Sequence, residues 1–500
     1  MPTFSLALVI AASLSAACST TSSPAPSDAS VDTARDVTPS QCTETAGPFA
    51  PLSTRCGHFV DSDGRVVILT GVNARIDGVF DVALDMGRAP VEPIPAFTID
   101  DARSMRALGF NLLRLPIQWS AVEPTESGGF DDTYLDRVAA VIDLCRQAGL
   151  RVLIDWHQDA YSKEIGEDGA PRWAIVPAPT MLLSGPLDDL TARRTSQQVL
   201  RAFETFMGDS ADGARLRTRF ARAAAHVAQR FASERTVIGY ETYNEPIGSD
   251  AEVQRMNVET ARAIRAVDAA HLIAFEPNVT SRGFLNRSVI SDAPFEVAGG
   301  VYAPHVYPLA FTATEQQRMT FSVDSLEGAT SSAREEARAW GTPLLITEWG
   351  YDPRGTRADE YYDAQQTLQE RSMASAIVWV WKEQSQGSWG MHDYDASSGR
   401  WTLRPDMRRR LARVRPEAVA GVPTRYGYDR STRRFTLEYV GRAEITAPTV
   451  LYVPSVDDFS QRFTVTCDGR EVSVTRDAST GVISVPCVGA GSHTVTVAAN

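Results

Sequence analysis

Short apolar segments alternate with amphipathic stretches along most of this chain, from about Cys56 to Val414. Nearly continuous apolar segments are typical of parallel strands, which helices bury on both faces. The stretches between them have the periodicity of helices, and Thr98 or Asp100 would cap the first one. Eight strand candidates in this alternation predict an α/β fold, a (β/α)8 TIM barrel, rather than an open sheet. The eight segments are 66–73, 111–117, 151–157, 237–245, 271–277, 300–307, 343–349 and 375–383.

A different pattern follows Val414. Pro416 and Pro423 interrupt the helical periodicity, and apolar and polar residues then alternate in short runs that turns separate. A period of two is typical of strands with one buried face, so we expect a small antiparallel β-sandwich. The sequence therefore predicts a catalytic barrel over 42–415 and a β-sandwich domain over 416–500.

The N-terminus is typical of an exported protein. Residues 4–17 form a short apolar run that ends in small residues, as a secretory signal does. Cys18 follows directly, in a setting that resembles a bacterial lipobox, and ordinary cleavage nearby is the alternative. Residues 19–41 are rich in Ser, Pro, Ala and Thr, which indicates a flexible tether. We expect a secreted or cell-envelope protein, lipid-anchored at Cys18.

The six cysteines fit export as well. Cys42 and Cys56 lie close together, as do Cys467 and Cys487 on the alternating strand pattern, so two local disulfides are expected in an oxidising compartment. Cys145 lies in an apolar helical stretch and should be a buried free thiol.

Charge and motifs exclude several classes of function. The 500 residues carry a net charge of −13, so the chain has no basic excess for nucleic acid. Beyond the N-terminus no apolar run is long enough to span a membrane. The sequence has no HExxH, GxSxG or GxGxxG motif, which gives no support to a zinc hydrolase, a serine hydrolase or a nucleotide fold. We expect no cofactor, no metal and a monomer.

Polar residues end the predicted barrel strands, where the active residues of such barrels lie. Glu245 ends the fourth strand and Glu348 the seventh, so the two carboxyl groups face each other across the barrel mouth. Glycoside hydrolysis needs such a pair, one as proton donor and one as nucleophile or base. The other residues at these strand ends are Asn73, Arg114, His157, Asp159, Asn244, Glu276, His305, Tyr307 and Trp381.

Six motifs in order, NLLRLP, DWHQD, YNEP, YAPHVYP, ITEWG and VWVW, resemble the retaining glycoside hydrolases of family 5. The resemblance spans residues 66 to 383. It implies a double-displacement mechanism with Glu245 as acid/base and Glu348 as nucleophile. It also implies that the remaining matched residues contact substrate or orient these two. Asn244 would bond the sugar 2-hydroxyl, Arg114 and Tyr307 would hold the nucleophile, His157 and His305 would bind hydroxyls or position the carboxylates, and Trp381 would form the sugar platform.

Within the family, DWHQDAYSKEIGEDGAPRW resembles the endoglycoceramidase branch, which cleaves between an oligosaccharide and ceramide. The resemblance implies that Asp159 binds the sugar nearest the cut. In the loop after the first strand, Arg75 and Asp77 stand where relatives tend to place a lysine, so the accepted first sugar stays open. Lys382 follows the eighth strand and is a further expected sugar contact.

Two apolar loops favour a lipid substrate, since exposed apolar patches usually mark binding surfaces. They are AIVPAPTMLLSGPL at 174–187 and the segment at 308–311. We expect the protein to meet glycosphingolipid or another β-glycoside at a membrane or micelle surface. The alternatives are a family-5 β-glucosidase or endo-glucanase acting on non-lipid substrates and, from another class, a non-catalytic glycan- or lipid-binding lipoprotein.

Overall fold

The computed structural model describes residues 46–499 except 280–281, 283–294, 312, 385–388, 456–458 and 460–461. All elements below lie in the unit formed by residues 42–500. The predicted signal segment, Cys18, the tether and Cys42 fall outside the described residues. No helix within the described part of the chain is long and apolar enough to cross a membrane.

Three short strands precede the barrel and run antiparallel to one another. They are β1 (Ser53–Arg55), β2 (His58–Val60) and β3 (Val66–Val67). Their side chains point alternately to opposite faces, as in any strand. Phe59 and Val67 pack against the bottom of the barrel, whereas Val60 and Val66 pack into a second core below.

Eight parallel strands then form a nearly closed barrel, and all eight predicted strands are confirmed. Each strand pairs with the next from β4 to β9, and β11 pairs with β4. A parallel bridge between Tyr302 and Leu344 brings β9 against the chain that leads into β10. The strands are β4 (Thr70–Asn73), β5 (Leu112–Ile117), β6 (Arg151–Trp156), β7 (Val237–Glu241), β8 (Leu272–Phe275), β9 (Gly300–Tyr302), β10 (Leu345–Trp349) and β11 (Ser375–Val378).

Helices surround the barrel, and local sequence signals set their ends. Thr98 caps the first helix in a capping box with Asp101, and Gly149 ends the third in the left-handed conformation that favours glycine. The helices are α1 (Ile99–Ala107), α2 (Trp119–Val122), α3 (Asp132–Ala148), α4 (Leu190–Arg194), α5 (Gln197–Met207), α6 (Ala211–Phe231), α7 (Asp250–Arg265), α8 (Glu315–Thr320), α9 (Val323–Ala339), α10 (Ala358–Ser372) and α11 (Pro405–Leu411).

A separate hairpin, β12 (His392–Asp395) and β13 (Arg400–Leu403), follows the barrel. Eight further strands come after α11 and form antiparallel sheets, as predicted. They are β14 (Arg415–Val419), β15 (Gly421–Asp429), β16 (Arg434–Gly441), β17 (Thr449–Tyr452), β18 (Phe463–Cys467), β19 (Arg470–Glu471), β20 (Val482–Val485) and β21 (Gly491–Ala499).

The two sheets do not follow the predicted boundary at 415/416. One has the order β15-β16-β21-β18-β19, but the other is β1-β2-β3-β14-β17-β20 and takes half of its strands from the N-terminal side of the barrel. The apolar segment 66–73 is therefore two strands, because Val66 and Val67 pair with β14 while Thr70 begins the barrel. A single run of apolar residues cannot reveal that it changes sheet halfway.

The barrel and the sandwich are also joined by buried polar contacts. Arg106 at the end of α1 forms a bidentate pair with Glu417 on β14, with N–O distances of 2.6 and 2.8 Å. Tyr452 donates its hydroxyl to the carbonyl of Ala107. The ring of Tyr452 lies so close to Gly109, which has φ +83°, that a Cβ there would fall 2.5 Å from it.

The cysteine predictions are confirmed where they can be followed. Cys467 and Cys487 form a disulfide, and Cys145 is a buried free thiol. Cys56 is disulfide-bonded, and its predicted partner Cys42 lies outside the described residues.

Candidate active site

A group of buried carboxyl residues surrounds Arg114 at the C-terminal ends of the barrel strands. We call Asp155, Glu241, Glu245, Glu276 and Glu348 the carboxylate cluster. The Arg114 guanidinium lies 2.5 Å from Glu241, 2.7 Å from Glu348, 3.1 Å from Asp155 and 3.4 Å from Glu276. Burial lowers the pKa of Arg114, but these four neighbours outweigh burial and raise it well above its usual value. The cluster thus has a permanent cation at its centre.

Glu348, at the end of β10, is held by two donors. Arg114 Nη1 donates to one carboxylate oxygen at 2.7 Å, and the Tyr307 hydroxyl donates to the other at 2.8 Å. The resemblance to family 5 implied that Arg114 and Tyr307 hold Glu348, and in the structure both contact it. A carboxylate fixed at both oxygens is oriented for attack along one direction.

Glu245 lies opposite, on the loop that follows β7, with φ of +42°. Such a conformation is costly for a residue with a side chain and is typical of functional sites. Two neighbours hold it: Glu276 accepts from the Glu245 N–H at 3.1 Å, and Gln158 donates to the carbonyls of Asn244 and Glu245 at 2.8 and 3.1 Å. Gln158 is a positioning residue that the sequence analysis did not identify.

His305 lies between the two predicted catalytic residues. Its Nδ1 is 2.9 Å from Glu245 Oε1 and 3.5 Å from Glu348 Oε2, and its Nε2 is 3.3 Å from Glu276. Ligand atoms of Glu245, His305 and Glu348 all lie within 4.8 Å of one another. One carboxylate oxygen of Glu245 thus lies within 4.8 Å of one of Glu348, which agrees with the short carboxyl separation of retaining glycosidases rather than the longer one of inverting enzymes.

The pKa values of Glu245 and Glu348 are shifted in opposite directions. Burial raises the pKa of Glu245, but the hydrogen bond and charge of His305 outweigh burial and lower it to about 2. Burial raises the pKa of Glu348, against the charges of His305 and Arg114. The pKa of His305 stands well above its usual value, because the charges of Glu276 and Glu348 and the bond to Glu245 overcome burial. Both shifts favour an ion pair between a protonated His305 and an ionised Glu245.

The neutral imidazole of His157 completes the mouth of the barrel on the side of β6. Its Nδ1 lies 2.6 Å from Asp155 Oδ2. Burial, together with the charge of Arg114, lowers the pKa of His157 to about 3. The ring stacks on Trp379, with centroids 5.6 Å apart and planes 8° apart.

The predicted sugar platform requires a correction. The structure buries Trp381, which is 1% exposed and whose indole N–H donates to Asp101 at 3.0 Å. The partly exposed indole is Trp379, two residues earlier in VWVW, which also lies over the guanidinium of Arg75. The sequence could not distinguish the two tryptophans, since β11 ends at Val378 and the chain turns between them.

Three other predicted substrate contacts lie elsewhere or are already paired. The Lys382 ammonium pairs with Asp101 at 2.5 Å, in a separate cavity. Asp77 is exposed on the loop after β4, and the carbonyl of the next residue, Gly78, accepts from Arg137 on α3. Asp159 is at the mouth, in a bidentate pair with Arg194.

Asn244 also uses part of its amide within the protein. Its Oδ1 accepts from Arg114 at 2.8 Å, and its Nδ2 donates to the carbonyl of Gln158 at 3.0 Å. The amide has a second N–H, which can serve the predicted sugar hydroxyl.

Two arginines at the mouth were not predicted as site residues. Arg194 on α4 links Asp159 to Glu245, whose Oε2 lies 3.8 Å away. Arg75 is almost fully buried and pairs with three acidic residues from distant loops, Glu92, Glu167 and Glu383. Arg75 follows the end of β4, and this position in the sequence could have indicated a site residue. Arg194 lies on α4, within a long loop, where no sequence pattern indicates a site residue.

Aromatic side chains extend from Tyr307 to the surface. Phe311 is 48% exposed, stacks on Trp389 at 5.3 Å with a plane angle of 13°, and lies 5.1 Å from Tyr307. The other predicted apolar loop, 174–187, is only partly exposed. Its end packs on the loop before α1, where Gly185 and Leu187 donate backbone hydrogen bonds at 2.9 and 2.6 Å.

The carboxylate cluster suits proton transfer and nucleophilic attack rather than ion binding. Glu241, Glu276 and His305 lie close enough to ligate an ion, as do Glu245, His305 and Glu348. Arg114 already places a cation beside a carboxylate of each group, 2.5 Å from Glu241 in the first and 2.7 Å from Glu348 in the second.

Comparison with known proteins agrees with this geometry. Residues 80–385 match the family described as cellulase (glycosyl hydrolase family 5), and residues 413–497 match the glycoside hydrolase family 5 C-terminal domain. The chain is 27% identical to endoglycoceramidase I of Rhodococcus hoagii (strain 103S) over 487 residues, which cover 91% of this chain and 89% of that protein.

Solved structures give the same result over the whole fold. Endo-glycoceramidase II from Rhodococcus sp. superposes with a TM-score of 0.71 both as a ganglioside GM3 complex and as a lactosyl-enzyme intermediate. The two are 26% and 27% identical to this chain and cover 89% and 88% of it, and 99% of their own length. The chain is therefore a glycoside hydrolase, and it belongs to glycoside hydrolase family 5.

Proposed function

We propose that this protein hydrolyses the β-glycosidic bond between the glycan and the ceramide of glycosphingolipids, with retention of configuration. The observation that carries the proposal is the arrangement of Glu245, His305 and Glu348 within 4.8 Å of one another. It is supported by the full-length likeness to endoglycoceramidases, one of them solved as a lactosyl-enzyme intermediate.

In the first step Glu348 attacks the anomeric carbon, and the bond from that carbon to the ceramide oxygen breaks. Arg114 and Tyr307 orient the attacking carboxylate, and the charge of Arg114 favours its ionised form. The leaving oxygen takes a proton from Glu245, so that intact ceramide departs with its hydroxyl.

The proton that Glu245 delivers comes from His305. His305 Nδ1 lies 2.9 Å from Glu245 Oε1, and the pKa shifts of both groups favour a proton on the imidazole. When the substrate excludes water, a neutral acid beside a neutral imidazole is favoured over a buried ion pair, because desolvation penalises charge. In the second step Glu245 takes a proton from water, and the hydroxide formed at the anomeric carbon releases the glycan from Glu348.

The two sides of the scissile bond meet different surfaces. Trp379 and His157 offer a stacked ring face and hydrogen-bonding groups, which suit a sugar. Phe311 and Trp389 offer an exposed aromatic surface beside Tyr307, which suits the apolar chains of ceramide. We assign the sugar to the first surface and the lipid to the second.

Product analysis tests the proposal. The protein should release a free oligosaccharide and intact ceramide from glycosphingolipids, seen by thin-layer chromatography and mass spectrometry, and Glu348→Gln should release neither. Cleavage of cellodextrins and aryl glucosides with no action on any glycosphingolipid would instead establish a β-glucosidase or endo-glucanase.

We also propose that the protein is exported and lipid-anchored at Cys18, as a monomer that meets its substrate at a membrane or micelle surface. The disulfide between Cys467 and Cys487 supports export, since disulfides persist in oxidising compartments. Metabolic labelling with an alkyne fatty acid should mark the protein and not its Cys18→Ser variant. Equal labelling of both would contradict the anchor.

A further inference from the structure

A cavity of about 550 Å³ lies on the flank of the barrel mouth, away from the carboxylate cluster. We call it the flank cavity. Its walls are α1 with the segment before it, the chain after β11, and the β12–β13 hairpin. Among the described residues, none of the carboxylate cluster lines it, and neither do His305 and Trp379.

The backbone after β11 separates the flank cavity from the catalytic mouth. Lys382 lines the cavity, whereas the next side chain, Glu383, turns the other way and pairs with Arg75 at 2.8 Å. Glu383 also accepts from the N–H of Trp389 at 2.6 Å. The cavity is therefore a different compartment from the site that holds the scissile bond.

The apolar wall of the flank cavity is built from aromatic rings. Tyr394 and Trp401 are directly opposite each other in the β12–β13 hairpin, with ring centroids 4.7 Å apart. Both are partly exposed, and Ile94 and Pro95 face them from the segment before α1. Ring faces of this kind pack against the C–H faces of sugars.

The floor of the cavity is polar, and no free positive charge lies among the described residues that line it. Asp101 accepts from the Trp381 indole at 3.0 Å and pairs with the Lys382 ammonium at 2.5 Å. Burial lowers the pKa of His392 to about 4, so this imidazole is neutral. Asp100 adds a further carboxylate at the rim. A negatively charged ligand is therefore disfavoured, whereas hydroxyl groups find both donors and acceptors.

From these observations we propose that the flank cavity is a second carbohydrate-binding site, specific for an uncharged sugar. The sugar stacks on Trp401 and Tyr394, and its hydroxyls bond to the Lys382–Asp101 pair. The ligand is either the distal sugar of the glycan under cleavage or the glycan of a separate molecule. The site does not depend on which aglycone the enzyme releases.

A binding experiment on the full chain tests this site without turnover. The catalytic mouth is first blocked by a 2-fluoro glycoside bound covalently to Glu348. Ligand-observed NMR then follows a neutral oligosaccharide, lacto-N-neotetraose, and its sialylated counterpart. The blocked enzyme should bind the neutral glycan at least tenfold more tightly than the sialylated one.

Variants of the hairpin locate the binding. Trp401→Ala should weaken binding of the neutral glycan about tenfold or more, since a stacked ring face is lost, whereas Trp401→Phe should retain most of it. Tyr394→Ala is the second variant, and unchanged turnover of a soluble aryl glycoside shows that each variant is folded. Failure of the blocked enzyme to bind the neutral glycan, equal binding of the sialylated one, or unchanged binding by both alanine variants would overturn the proposal.

Kinetics separates the two sources of the sugar. If the distal sugar of the substrate occupies the cavity, Trp401→Ala should raise KM for glycosphingolipids with long neutral glycans and leave KM for glucosylceramide unchanged. If a separate glycan occupies it, both KM values stay unchanged while the binding of free glycan is lost. Inactivity toward all glycosphingolipids would contradict the proposed function and leave the NMR result on the flank cavity intact.

Discussion

His305 Nδ1 lies 2.9 Å from Glu245 Oε1, and the pKa shifts of both groups favour a proton on the imidazole. A proton for the predicted general acid is thus held within hydrogen-bond distance of its carboxylate. It stays available at pH values above the ordinary pKa range of a carboxylic acid. The same arrangement keeps Glu245 ionised beside Glu348, the predicted nucleophile.

Replacement of His305 should change the alkaline side of the pH profile. In the natural enzyme the shared proton is lost only as pH rises through the raised pKa of His305. In His305→Gln only Glu245, a carboxylic acid, can hold this proton. The alkaline limb of the kcat/KM profile should therefore move to lower pH. The measurement is kcat/KM against pH on a glycosphingolipid, with a dinitrophenyl glycoside as the control because its leaving group needs no proton. An unshifted alkaline limb on the glycosphingolipid would exclude the shared proton.

The two predicted catalytic glutamates should differ in how their loss is rescued. Glu348→Gln should abolish turnover on every substrate, because no covalent intermediate forms. Glu245→Ala should slow glycosphingolipids by about 10²–10⁴-fold, the usual contribution of a general acid, and azide should restore part of the rate on aryl glycosides. NMR of the azide product should show retained configuration. A product of inverted configuration would be inconsistent with Glu348 as nucleophile.

Trp379 and Trp381 provide a matched pair for the sugar platform. Trp379→Ala should lower kcat/KM for an aryl glycoside about tenfold, since the ring that faces the mouth is lost. Trp381→Phe removes the bond to Asp101 and should reduce the free energy of unfolding by roughly 1 kcal/mol. Its kcat/KM should be nearly unchanged. The assignment fails if Trp381→Phe impairs catalysis more than Trp379→Ala does.

The aromatic surface beside Tyr307 should affect lipid substrates alone. Phe311→Ser should raise KM for glucosylceramide at least tenfold, because each methylene group that loses its contact costs about 0.8 kcal/mol. Turnover of a soluble aryl glycoside should stay the same. The control is Met319→Ser, which removes an equally exposed apolar side chain on α8. Equal losses on both substrates at Phe311 would show that its ring instead supports Tyr307, which positions Glu348.

The buried pair between Arg106 and Glu417 should stabilise the joint between barrel and sandwich. Glu417→Gln or Arg106→Gln alone leaves a buried charge without its partner and should cost about 3–5 kcal/mol. The double variant should cost clearly less than the sum of the two. Denaturant unfolding monitored by circular dichroism measures all four proteins. Strict additivity would mean that the two side chains do not interact energetically.

Much of the site could be predicted because barrel geometry brings strand ends together. Glu245, His305 and Tyr307 follow strands, Glu348 lies near the end of β10, and Arg114 lies within β5. The order of these strands in the sequence is their order in the barrel. Residues on long loops could not be placed in this way. Arg194 reaches Asp159 from α4, and only the folded loop reveals their contact.

The wrong predictions for Trp381 and for the segment 66–73 have another physical cause, which is that contacts distant in the sequence decide them. Trp379 and Trp381 are chemically identical, and the turn after β11 decides which one is buried. Likewise, the residues of β3 have the same apolar pattern as the barrel strand that follows them. Only β14, which is far away in the sequence, shows that β3 belongs to another sheet.

That shared sheet has a consequence for the order in which the protein can fold. The ribosome makes β1 to β3 before any of the barrel, but β3 pairs with β14 as well as with β2, and β14 is complete only at Val419. Until then Val66 has no strand beside it on that edge, and contacts of such long range are slow to form. The sheet that carries Phe59 and Val67 under the barrel is therefore complete on that edge only after the chain has been synthesised past Val419.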